Sequence, residues 1–99
     1  RGQAAAAVDA LQNAVARDPQ PASRYLLALA LLDSQQFADG ERLLAELAAS
    51  GPLQTDANLT LAELWLARGQ VERARQLLDA VLRGQPDHPG AKALRDRIR

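Results

Sequence analysis

The 99-residue chain carries 12 Lys and Arg against 12 Asp and Glu, one His, and neither Cys nor Met; 47% of it is hydrophobic, yet only Tyr25, Phe37 and Trp65 are aromatic. That length suits one small domain, the absence of cysteine excludes disulfides, zinc–thiolate sites and redox dithiols, and the balanced charge argues against polyanion binding by bulk attraction. The longest apolar run, Tyr25 to Leu32, falls far short of the ~20 residues that cross a bilayer, so no membrane insertion by this segment is expected, and an apolar share built on Ala and Leu predicts an all-α fold.

The sequence opens Arg1-Gly2-Gln3 and lacks Met, which reads as a segment of a longer polypeptide. The first expected helix runs from Gln3 to Arg17, with Ala4, Ala7, Val8, Leu11, Ala14 and Val15 recurring at helical spacing. Residues 22–33 follow, apolar nearly all round, which implies contact on two sides. Residues 38–49 present Leu43, Leu44 and Leu47 to a core, and residues 56–67 are again apolar nearly all round. Residues 71–83 present Val71, Ala74, Leu77, Leu78, Val81 and Leu82. The tail starts at Pro89, a good first helical residue with Asp87 or His88 as its cap, and its stripe is Ala91, Leu94 and Ile98.

The breakers between these segments recur. Pro86 lies as far beyond Pro52 as Gln70 lies beyond Gln36. The same offset places Leu27 on Leu61, Ala28 on Ala62, Leu43-Leu44 on Leu77-Leu78, Leu31 on Trp65 and Gly40 on Ala74. Small Ala28, Ala62, Gly40 and Ala74 allow paired helices to approach closely, large Leu31, Trp65, Leu44 and Leu78 fill the space between them, and proline ends the second helix of each pair. This pattern resembles the tetratricopeptide repeat (TPR), a 34-residue helix–turn–helix. Arg24 and Asn58 stand where that family often has Trp, and Gln35 where it often has Gly.

The resemblance implies an all-α, TPR-like α-solenoid of antiparallel helix pairs with about six helices. Residues 1–20 would be the second helix of a preceding repeat, 21–54 and 55–88 two repeats, and 89–99 a capping helix or the start of the next repeat. In the family the first helix of each pair faces a concave groove. The residues there that the repeat signature does not use are Tyr25, Leu29 and Leu32 and, at the same offset, Leu59, Glu63 and Leu66. Five of the six are apolar or aromatic, and a continuous stripe of that kind calls for an occupant. The occupant is a helix or peptide of a protein partner, a neighbouring repeat, or a second copy of the chain. The family's clamp for chaperone C-terminal carboxylates uses Lys and Asn on this face. Tyr25, Leu29, Thr60 and Glu63 stand there instead, so that function is not expected.

Residues 1–67 hold four basic and eight acidic residues, and residues 68–99 hold eight and four, a gradient from −4 to +4. Solvated helix faces and Arg68 and Arg83 at helix C-termini account for most of it. Arg73, Arg75, Lys92, Arg95, Arg97 and Arg99 could touch phosphates, but no aromatic residue interleaves them, so nucleic acid is not an expected partner. No enzyme activity, cofactor or metal is expected: His88 lies in a proline-rich turn beside Asp87, Ser23, Ser34 and Ser50 sit at helix ends, and no phosphate loop or ligand cluster is present. Trp65 occupies a core position of the repeat. The sequence therefore reads as a protein–protein interaction scaffold segment, with homo-oligomerisation or an accessory domain fused to an enzyme as alternatives. Ala/Leu/Arg-rich usage and the Asp18–Leu32 stretch point to bacterial envelope machinery such as exopolysaccharide export, favouring periplasm or cell envelope over cytoplasm.

Overall fold

The computed structural model describes residues 2–98. Among them are six helices: α1 (Gly2–Arg17), α2 (Pro21–Asp33), α3 (Phe37–Ala49), α4 (Gln54–Ala67), α5 (Val71–Gly84) and α6 (Pro89–Asp96), and no strand. They fall into two compact units, Arg1–Gln54 and Thr55–Arg99. The expected helices are present, with bounds shifted by one or two residues; α4 starts at Gln54 rather than at residue 56.

In the first unit α2 packs against both α1 and α3, the two-sided contact its all-round apolar sequence implies. Pro21 opens α2 at its first helical positions, where a missing N–H costs nothing. The helix ends in a complete left-handed cap. Gln35 has φ 65°, its N–H donates to Leu32 O at 3.0 Å, and the Gln36 N–H reaches back to Leu31 O at 2.8 Å. Gln36 is then the N-cap of α3, so the chain reverses within three residues. Arg24, in the first turn of α2, accordingly bonds Glu46 near the end of α3 at 2.7 Å, which makes the pair antiparallel. The two helices approach closely at Gly40: a Cβ there would lie 2.7 Å from Leu32 Cδ2 and 3.3 Å from the Ala28 carbonyl oxygen. Val8, Leu27, Ala30 and Leu31 form a buried cluster, with Leu11, Val15 and Leu43 packed on it.

The second unit repeats this local construction. Gly69 has φ 79°, its N–H donates to Leu66 O at 3.1 Å, and the Gln70 N–H to Trp65 O at 2.7 Å. The N-cap residues match too, with φ −89° and ψ 67° at Gln36 and φ −90° and ψ 63° at Gln70. Gln85 Nε2 donates to Thr55 Oγ1 at 2.7 Å, joining the start of α4 to the end of α5. The core here is Ala62, Ala74, Leu78, Val81, Ala91, Leu94 and Ile98. His88 is the cap of α6, its Nδ1 accepting the Ala91 N–H at 3.2 Å, and Arg95 on α6 bonds Asp79 on α5 at 2.8 Å.

Two stripe residues depart from expectation. Ala7 is exposed, because α1 turns Val8 rather than Ala7 into the core. Val71 is 41% exposed, because it is the first residue of α5 and lies before the helix reaches its packed neighbours.

Candidate functional site

The six stripe residues divide between the units. On α2, Tyr25, Leu29 and Leu32 are each half-buried, and Leu32 covers Gly40. On α4, Leu59 and Leu66 are half-buried and pack on the second core, and a Cβ at Gly90 would meet Leu59 Cδ1 at 3.2 Å. Glu63 is exposed. Within each unit, then, Leu32, Leu59 and Leu66 spend part of their surface on intramolecular packing.

The face of α2 that turns furthest to solvent is rotated from that stripe. It runs Ala22, Leu26, Leu29 and Asp33, at i, i+4, i+7 and i+11. Leu26 is 53% exposed, more than any other large hydrophobic residue among those described. The equivalent positions of α4 are Asp56, Thr60, Glu63 and Ala67, where Thr60 Oγ1 donates to the Asp56 carbonyl at 3.1 Å. A sequence signal for Leu26 is therefore present: its partner at the repeat offset is a threonine between two acidic residues, the composition of an outward face.

Several basic residues near the C-terminus are engaged within the fold. Arg73 lies over the Trp65 ring, 4.1 Å from its centroid, and donates to Gln70 Oε1 at 2.8 Å. Arg75 pairs with Glu72 and Arg95 with Asp79. Lys92 and Arg97 are exposed, and Arg99 lies outside the described residues. Trp65 is half-buried against the second core, with its indole N–H buried and without a hydrogen-bond partner. Among the described residues no group of three or more His, Cys, Asp or Glu is placed to hold a metal ion, and no helix is long and apolar enough to cross a membrane.

A short first helix, a left-handed three-residue turn and an antiparallel second helix, occurring twice along the chain, define a helical-repeat protein. The chain belongs to the tetratricopeptide repeat family, which matches residues 31–98. It is similar to the mouse protein named interferon-induced protein with tetratricopeptide repeats 3, at 39% identity over 77 residues. That match takes in 77% of this chain and 19% of the relative, so the chain spans about a fifth of the relative's length. No solved structure matches it. Tetratricopeptide repeats generally mediate protein–protein interactions and are non-catalytic scaffolds.

Proposed function

We propose that this chain binds a helix or extended peptide of a protein partner along the apolar faces of its first helices, with Tyr25, Leu29 and Leu32 on α2 and Leu59, Glu63 and Leu66 on α4 as contact residues and Leu26 added to the α2 set. The two repeats of this reading are residues 21–54 and 55–88. The observation that carries it is the exposure of Leu26 beside half-buried Tyr25 and Leu29. A leucine left in water forgoes roughly 1.5–3 kcal/mol of burial, and the sister helix shows that this position accepts a polar residue. An amphipathic helix laying its apolar side along α2 would recover that burial.

The experiment is partner capture by the Leu26→Glu, Leu29→Glu double variant. Loss of the partner with the helical circular dichroism unchanged supports the reading; undiminished capture overturns it. Leu66 is unsuitable for this purpose because it packs on the core. Self-association through the same stripe is the competing occupant, and a sedimentation coefficient that rises with concentration identifies it. An accessory role beside a fused enzyme would place the same contacts in a larger chain. Placement in bacterial envelope or exopolysaccharide-export machinery rests on composition and the Asp18–Leu32 stretch alone, and the gene neighbourhood tests it.

A further inference from the structure

Granted that the first-helix faces bind a protein partner, we infer that the segment seated on them is cationic as well as apolar: an amphipathic helix whose leucine-type side is bordered by Lys or Arg. The charge of that partner follows from how the acids of the chain are distributed between first and second helices.

On the second helices every acid is engaged. On α3, Asp39 pairs with Arg42, Glu46 is held by Arg24 at 2.7 Å, and Glu41 also has a partner. On α5, Glu72 pairs with Arg75 and Asp79 with Arg95. On the first helices no acid is. Asp33 on α2 and Asp56 and Glu63 on α4 are all exposed, and none makes an ion pair or side-chain hydrogen bond with a described residue. Bases are missing from the same faces. The one base of α2 is Arg24, already held by Glu46, and α4 contains no Lys, Arg or His. The contrast holds within each unit by itself.

Helix stability explains only one of the three acids. Asp56 lies in the first turn of α4, where the helix dipole favours it. Glu63 stands in mid-helix and gains nothing from either end, and Asp33 stands at the unfavourable end of α2. Their neighbours on the faces are apolar: Asp33 lies two turns beyond Leu26, and Glu63 lies one turn beyond Leu59. A helix that covers the leucines therefore brings its own margins up to carboxylates. An acidic margin is repelled there, and a neutral apolar one strips water from the carboxylates without return. Lys and Arg pair with them while laying their aliphatic stems along the leucines. Such complementarity acts on encounter rate and on rejection of wrong partners more than on affinity, so its effect is modest and sensitive to salt.

The test is an NMR titration of the 99-residue chain with three amphipathic peptides of about 18 residues, five helical turns. They share one leucine face and carry Lys, Gln or Glu on the other. Expected are saturable shifts along α2 and α4, tightest for the Lys peptide and weakest for the Glu peptide, with the Lys peptide weakened by added salt. Glu63→Gln should weaken the Lys peptide about threefold and leave the Gln peptide unchanged; Asp39→Asn on α3 should affect neither. A Glu peptide bound as tightly as the Lys peptide, or full affinity for the Lys peptide in Glu63→Gln, overturns the cationic partner. The apolar face itself then still stands if the neutral double variant Leu26→Gln, Leu29→Gln abolishes binding. Undiminished binding by that double variant, shifts centred on α3 or α5, or no saturable binding by any peptide overturns the face and the cationic partner together.

Discussion

Gln35 and Gly69 stand at the same place in their respective helix pairs and hold the same left-handed backbone, φ 65° and 79°. Each sits between two hydrogen bonds that close the preceding helix, from Gln35 and Gln36 in one case and Gly69 and Gln70 in the other. Glycine has no Cβ to strain in this region, whereas glutamine does. Gln35→Gly is therefore expected to raise stability by about 1 kcal/mol, the relief of strain exceeding the added freedom of the unfolded chain. Gly69→Ala is expected to lower it by about as much. Nothing lies within 4 Å of a Cβ at Gly69, so its cost is conformational and not steric. Urea denaturation followed by circular dichroism measures both, and a Gln35→Gly variant less stable than the wild type would contradict the assignment.

Gly40 differs in kind. It is buried inside α3, and its Cβ would meet Leu32 Cδ2 at 2.7 Å and the Ala28 carbonyl at 3.3 Å. Alanine gains about 1 kcal/mol over glycine in a helix interior, while overpacking costs about 1–3 kcal/mol. The leucine can rotate but the carbonyl cannot, so Gly40→Ala is expected to destabilise by about 1 kcal/mol. Adding Leu32→Ala removes the nearest atom. The two changes should therefore be non-additive, by up to about 1 kcal/mol in the favourable direction, in a double-mutant cycle.

The repeat is legible in the sequence because its signals are local and doubled. Ala28 with Ala62, Leu44 with Leu78 and Gln36 with Gln70 give helix, packing and turn twice over, and all four Ala and Leu residues are buried. The outward faces are less legible. Tyr25, Leu29 and Leu32 are residues the repeat signature leaves unused, a criterion that does not register the Leu32 contact with Gly40 or the packing of Leu59 and Leu66 on the second core. Those contacts depend on how α3 and α6 approach, which helical spacing within α2 or α4 does not encode. Leu26 escapes the same criterion because an apolar residue in an apolar helix carries no mark of its direction. The polar set Asp56, Thr60 and Glu63 supplies that mark through the repeat offset.

Burial decides which leucines hold the units together. Leu44 and Leu78 are the largest side chains that are fully buried. Either one changed to alanine is expected to cost about 2–5 kcal/mol, transfer and cavity terms combined. Leu26→Ala should fall within about 0.5 kcal/mol of the wild type. Thermal melts of the three variants check this ordering; a Leu26→Ala loss as large as that of Leu78→Ala would place Leu26 in a core.

His88 is the remaining testable contact, because α6 depends on it more than a longer helix would. Eight residues form too few turns to persist on propensity alone, so α6 is held by Ala91, Leu94 and Ile98 in the core and by its N-terminal cap. The His88 imidazole supplies that cap by accepting the Ala91 N–H, and its Cε1 would lie 3.2 Å from a Cβ at Gly90, so the ring also lies against the first turn. His88→Ala removes the acceptor and is expected to cost about 1 kcal/mol, while His88→Asn restores a side-chain oxygen at the cap and should recover most of it. Hydrogen exchange locates the effect: the amide of Ala91 should lose protection in His88→Ala and regain it in His88→Asn, with those of α2 unchanged. Equal protection in all three forms would show that core packing alone fixes α6.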